Sequence, residues 1–171
     1  EGFKKCLSMK RTYNQVTLCA DEVSANNSVE LSAGSYSITN RFYINDGVTL
    51  TLADGANLTM QYGYVYGDIV VSSGATMTVK DSYFYLYDDA ELTNNGTFML
   101  DVSNMRIHDN SIFRNNGTLQ TAGKYSIMVY DYASALNMQG KNVSKKSGQD
   151  YYDEYGVFSE GLSDHTTVTG A

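Results

Sequence analysis

The chain has 171 residues, enough for one domain with a substantial core and too few to argue for two. Its formal net charge of −7 speaks against a nucleic-acid partner, because phosphate binding needs clustered Lys and Arg. No apolar run approaches the roughly 18 residues of a bilayer-spanning helix, and 15 Tyr and 15 Gly with no Trp and no Pro point to an extracellular or cell-surface protein.

Residues 1–28 are expected to form an N-terminal cap or linker. The start at Glu1, with neither an initiator Met nor a signal-peptide pattern, is expected of a processed or excised piece. Cys6 and Cys19 either close a short loop in an oxidising compartment or remain unpaired thiols, and the sequence leaves both open. The basic residues between Lys4 and Arg11, like those between Lys141 and Lys146, read as solvated flanks.

Residues 29–140 keep a clock. "LTNNGTFML" at Leu92–Leu100 returns as "FRNNGTLQT" at Phe113–Thr121, 21 residues later. The same spacing of apolar residues fits Leu52, Leu58, Met60 and then Val71, Met77, Val79, with starts 19 and 21 residues apart. Leu31, Tyr36 and Ile38 form a shortened earlier copy. A second register runs Phe42 and Ile44, Gly63 and Val65, Phe84 and Leu86, Met105 and Ile107, Ile127 and Val129, at steps of 21, 21, 21 and 22. A fixed period in this range marks a solenoid.

Inside each copy apolar and polar residues alternate, as in "TLTL" and "TMTV", the signature of strands with one buried face. One complete coil holds three short strands, near residues 41–45, 50–52 and 58–60. Equivalent strands of successive coils run parallel, since the chain travels the same way on each lap. Asp54-Gly55, Ser73-Gly74, Asn95-Gly96 and Asn116-Gly117 supply residues tolerant of positive φ at one corner. Stacked Asn amides there can bond from coil to coil. Asp46, Asp68, Asp88, Asp89, Asp109 and Asp131 mark a second corner, read as turn residues in preference to a shared calcium site.

Residues 141–171 depart from the period and read as a C-terminal loop, cap or start of further coils of a larger protein. An open solenoid end exposes strand edges and core, so a cap or more protein is expected to cover it. Five Asn-X-Ser/Thr triplets begin at Asn26, Asn57, Asn95, Asn116 and Asn142, and matter only in a eukaryotic secretory host.

A three-strand coil of about 21 residues with an inward apolar stack and Asn or Gly corners resembles the right-handed parallel β-helix of pectin-lyase-like proteins, an all-β solenoid here of about five to six coils. "VELSAGSYSI" at Val29–Ile38 resembles the opening coil of such chains, and "INDGVTLTLADGANLTM" at Ile44–Met60 resembles repeats of bacterial adhesins and secreted passenger domains. The resemblance implies an architecture rather than an activity. Lyases of that superfamily hold calcium with clustered carboxylates and use an Arg or Lys base, and its hydrolases use grouped Asp residues. No such group is legible: Glu91 aligns with Val70 and Ile112, Asp101 lies beside Lys80, and His108 and His165 alone make no metal site. A non-enzymatic segment without a resident cofactor is therefore expected, with a polysaccharide lyase or hydrolase fragment, a stalk and a phage tail-fibre segment as alternatives. Ice binding gains nothing from Thr59 and Thr78, whose successors are Met99 and Gln120.

The outward positions of one face carry the candidate site: Tyr43, Tyr62, Tyr64, Tyr66, Tyr83, Tyr85, Tyr87, Arg106, His108 and Tyr130. Four coils by three positions span roughly 250 to 300 Å², wide enough for two or three sugar rings. Tyr offers an apolar ring, a hydrogen-bonding tip and little entropy to lose, which suits a glycan or a cell-surface protein. Two other readings stand beside it. The rings stabilise the solenoid by stacking on themselves, or the tail from Asp150 to Phe158 folds over them.

Overall fold

The computed structural model describes residues 11–13, 16–18, 22–25, 28–101, 103–121, 127–138, 141–144, 156–157 and 166–169. Cys6, Cys19, Asn26, His165 and most of the Asp150–Phe158 segment lie outside the described residues. The chain opens with β1 (Arg11–Tyr13), β2 (Val16–Leu18) and β3 (Glu22–Ala25). It then winds through β4 (Val29–Leu31), β5 (Gly34–Ile44), β6 (Thr49–Leu52), β7 (Ala56–Val65), β8 (Asp68–Val71), β9 (Thr76–Lys80) and β10 (Tyr83–Leu86). The later laps are β11 (Glu91–Asn94), β12 (Thr97–Asp101), β13 (Asn104–Ile107), β14 (Ile112–Asn115), β15 (Thr118–Thr121), β16 (Ile127–Val129) and β17 (Ser134–Met138). Last come β18 (Lys141–Ser144), β19 (Gly156–Val157) and β20 (Thr166–Thr169). Strands alone make up the regular structure of the described residues.

The architecture is a parallel β-solenoid with three faces. On the first, β3, the second half of β5, the second half of β7, β10, β13 and β16 lie side by side in parallel. Their register places Phe42 on Gly63, Gly63 on Phe84, Phe84 on Met105 and Met105 on Ile127, as the periodicity predicts. The second face runs β4, β6, β8, β11, β14 and β17. On the third, the first halves of β5 and β7 are followed by β9, β12 and β15. Alternation decides what is buried: Phe84 and Leu86 are 0% exposed, whereas Tyr83, two residues from Tyr85 on the outer side of the same strand, is 44% exposed.

The core is an uninterrupted apolar stack. Phe84 meets Phe98 edge-on at 5.7 Å, and Phe98 meets Phe113 at 5.6 Å. Gly63 makes room for this packing, because a Cβ there would overlap the Phe84 ring and come within 2.8 Å of Met60 Cε. The glycine is therefore a spacer within an otherwise bulky column, not a turn.

Three sequence expectations need correction. The first two coils do not hold three separate strands, since β5 and β7 run through one corner, with a register irregularity in β5 between Ile38 and Arg41. The corner becomes a true turn only later, where Asp81 adopts φ 56° between β9 and β10. Second, Leu92 stacks on Ile69 and not on Val71, and Asn94 takes the place over Val71. The cause is a short corner: only Tyr66 and Gly67 separate β7 from β8, where four residues separate β10 from β11. Gly67 permits that tight path because a Cβ would overlap the carbonyls of Asn45 and Val48. Third, Gly55 and Gly74 have the expected positive φ of 84° and 85°, but Gly96 and Gly117 do not. Those two are needed for close approach, since a Cβ on Gly96 would overlap the Ala75 and Ser72 carbonyls and one on Gly117 the Gly96 carbonyl.

The Asn-Gly corner carries two amide ladders. Outside, Asn116 Nδ2 donates to Asn95 Oδ1 at 3.0 Å, the coil-to-coil bond expected there. Inside, Asn94 Nδ2 donates to Asn115 Oδ1 at 2.9 Å, and both residues are 0% exposed. The Asp corner is built differently. Asp88, Asp109 and Asp131 adopt φ of 56°, 59° and 55°. Asp88 N–H donates to Asp109 Oδ2 at 2.8 Å, and Asp109 N–H donates to Asp131 Oδ2 at 3.0 Å. Each coil's carboxylate thereby secures the preceding coil's turn.

At the C-terminal end the parallel order stops. β18, β19 and β20 pair antiparallel with β17, β16 and β15, one on each face. A further parallel coil would have to displace these strands.

Candidate functional site

Strand alternation puts the predicted aromatic residues on the outer side of the first face. The sequence "YFYL" of β10 buries Phe84 and Leu86 and turns Tyr83 and Tyr85 outward. Coils are about 4.8 Å apart, close to the separation at which aromatic rings stack. Tyr43 stacks on Tyr64 at 5.0 Å, Tyr64 on Tyr85 at 5.5 Å, and Tyr66 on Tyr87 at 5.2 Å, all within 19° of parallel. Tyr85 also stacks on Tyr87 at 5.5 Å, which joins the two columns. The second column continues through His108, 5.3 Å from Tyr87 and 4.5 Å from Tyr130.

This geometry decides what solvent meets. Rings stacked along the solenoid axis cover one another's faces, so Tyr43, Tyr64, Tyr66, Tyr85 and Tyr87 are only partly exposed. Tyr62 and Tyr83 differ, at 40% and 44% exposed, and Tyr62 joins no ring stack among the described residues. Burial pushes the Tyr87 phenol up to about 12, with neighbouring phenols and Asp109 adding to the effect. Tyr66 is raised chiefly by burial and then by Asp88. Tyr85 is raised by burial against the opposing pull of Arg106.

Arg106 lies with its guanidinium carbon 4.7 Å from the centre of the Tyr83 ring. It has no carboxylate within ion-pair distance among the described residues, whereas Arg114 on the second face is paired with Glu91 at 3.2 Å. Arg106 Nε and Asn104 Oδ1 are buried without a hydrogen-bond partner. His108 Nδ1 stands 3.7 Å from Asp131 Oδ2. Burial lowers the His108 pKa, and Asp131 and Asp109 oppose that shift.

Tyr130 departs from the expected exposed position. It is 5% exposed, its ring lies flat on His108, and its hydroxyl donates to Met128 Sδ at 3.6 Å. The aromatic surface therefore ends at His108. Of the tail expected to cover the rings, the described part, Gly156–Val157, pairs with the edge of β16 instead of lying across the face.

Sequence reasoning missed other neighbours. The short corner at Gly67 places Glu91 beside Asp68 and not beside Val70, so two carboxylates adjoin on the second face. Both are engaged: Asp68 Oδ1 accepts the Glu91 N–H at 3.0 Å, and Glu91 holds Arg114. The interval of 19 residues between Leu52 and Val71 was the available signal. On the third face Thr59, Thr78, Met99 and Gln120 align as expected, but the adjacent column of Asn57, Thr76, Thr97 and Thr118 forms a longer threonine row. No group of three or more His, Cys, Asp or Glu side chains suited to a metal comes together among the described residues. No described helix is long and apolar enough to cross a membrane.

Comparison with protein-family models, with curated proteins and with solved structures finds no match for this chain.

Proposed function

We propose that this chain is a non-enzymatic β-solenoid segment of a secreted or cell-surface protein, adhesin-like, which holds glycan on its tyrosine face. The observation that carries this reading is the division of labour among the tyrosines. Most are locked in stacks, while Tyr62 and Tyr83, each one residue before the paired Gly63 and Phe84, remain exposed beside those stacks. Exposed rings on a fixed scaffold bind sugars with little entropic loss. A platform of roughly 250 to 300 Å² is far below the roughly 800 Å² per partner of a stable protein interface, which favours glycan over protein.

The adhesin-like assignment, like kinship with pectin-lyase-like proteins, rests on the resemblance of the Ile44–Met60 repeat. Against an enzyme fragment stands the state of the adjoining carboxylates, since Asp68 and Glu91 are tied to a backbone N–H and to Arg114, and Asp109 and Asp131 accept backbone N–H groups. A second reading, a stalk in which the rings serve stability alone, is favoured by the ring stacking itself. A glycan array probed with the wild type and with Tyr62→Ser/Tyr83→Ser separates the two. Binding that the double variant loses supports a platform, and an array with no binding leaves a spacer.

A further inference from the structure

Among the described residues Arg106 is a cation without a counter-ion, on the aromatic surface of a chain with net charge −7. Its register neighbours are Tyr85 and Met128, so no adjoining strand supplies a carboxylate. The nearest acidic row, Asp88, Asp109 and Asp131, occupies the corner beyond Tyr87 and His108, and its carboxylates at Asp109 and Asp131 already accept backbone N–H groups. On the other flank, Asp81 and Asp101 are accompanied by Lys80, which pairs in register with Asp101.

The Tyr83 ring fixes one side of the guanidinium, which leaves its planar fork to bind an oxyanion edge-on. Arg106 Nε and Asn104 Oδ1 are closed off from solvent, so an oxyanion meets the Nη edge of the guanidinium, where Arg106 is part-exposed. A sugar carrying an acidic group supplies the complement to that edge.

We propose that Arg106 is an anion-binding subsite, and that the saccharide held by the tyrosine face carries an acidic group, carboxylate or sulfate, seated at the edge of the Arg106 guanidinium beside Tyr83. This rests on the glycan-binding reading above and narrows its ligand class.

The test titrates the full chain with three oligosaccharide probes of equal length: neutral, uronic-acid-containing and sulfated. The acidic probes are expected to bind about tenfold or more tightly than the neutral one at low salt, the gain of a charge-assisted hydrogen-bonded pair. That gap narrows as salt rises. Arg106→Gln closes the gap, and Arg106→Lys restores part of it, since Lys keeps the charge and loses the fork. A thermal melt within a few degrees of wild type shows that both variants remain folded. The tighter of the two acidic probes identifies the anion. An acidic-to-neutral ratio that Arg106→Gln leaves unchanged, or equal binding of all three probes by the wild type, overturns the subsite alone. Binding of no saccharide by the wild type overturns the glycan-binding reading together with it.

Discussion

Replacing Tyr64, Tyr85 and Tyr87 together with Ser removes the centre of the aromatic ladder while leaving every inward residue in place. The three rings take part in seven ring contacts, with Tyr43, Tyr66, Tyr83, His108 and one another. At about 0.5 kcal/mol per aromatic contact, five between coils and two between residues two apart along the chain, the loss is about 3.5 kcal/mol. For a domain of this size that lowers the melting temperature by roughly 7 to 14 °C. The exposed pair behaves differently. Tyr62→Ser/Tyr83→Ser forfeits the tilted contact of Tyr83 with Tyr85 and the cation–π contact of Arg106, so its cost stays near 1 kcal/mol and its melting temperature within about 4 °C of wild type. Thermal melts followed by far-ultraviolet circular dichroism compare the two variants directly. A triple variant that melts within about 2 °C of wild type would refute the claim that the stacked tyrosines hold the coils together.

Gly63→Ala is expected to destabilise by about 1 to 3 kcal/mol in a urea melt, because the added methyl overlaps the fully buried Phe84 ring and Met60 Cε; an unchanged midpoint would show that the phenylalanine column is looser than described. His108 has a folded pKa below its ordinary 6.5, so its neutral form is favoured in the native state. Its contribution is complete above 6.5 and is lost as pH falls through the lower folded value; a carbon-bound proton titration of His108 by NMR should give a midpoint below 6.5, lower still in Asp131→Asn, and a midpoint above 6.5 contradicts the burial argument. Tyr87 works at the alkaline end. Its protonated form contributes fully below 10 and ceases to as pH rises through about 12, so tyrosinate absorbance should show a late-ionising phenol that is absent from Tyr87→Phe.

The solenoid was legible because its signal repeats. Phe42, Gly63, Phe84, Met105 and Ile127 state one register five times, and alternation then fixes which side chains turn out. What escaped depends on single events. The two-residue shortening at Tyr66–Gly67 moves Glu91 from Val70 to Asp68, and period-two alternation conceals it because a slip of two keeps the same residues inward. The interior Asn94–Asn115 ladder is hidden for another reason: polar residues at a corner read as turn formers, and only the closed hydrogen bonds show that they are core. Tyr130 follows the outward pattern of its column, and its burial against His108 is a matter of tertiary packing at the end of the stack. In the candidate site, residue identity and face were legible. The split between stacked and exposed rings was not, because it depends on which neighbouring coil supplies a ring.

The glycan-binding claim is tested most directly by mapping the binding surface in solution. Amide and aromatic NMR signals of the isotopically labelled chain, recorded during titration with a glycan that the array selects, should shift at Tyr62, Tyr83, Tyr85 and Arg106. A different surface, the Thr76, Thr97 and Thr118 row on the third face, should stay still. Perturbations centred on that threonine row, or spread evenly over all three faces, would contradict the account.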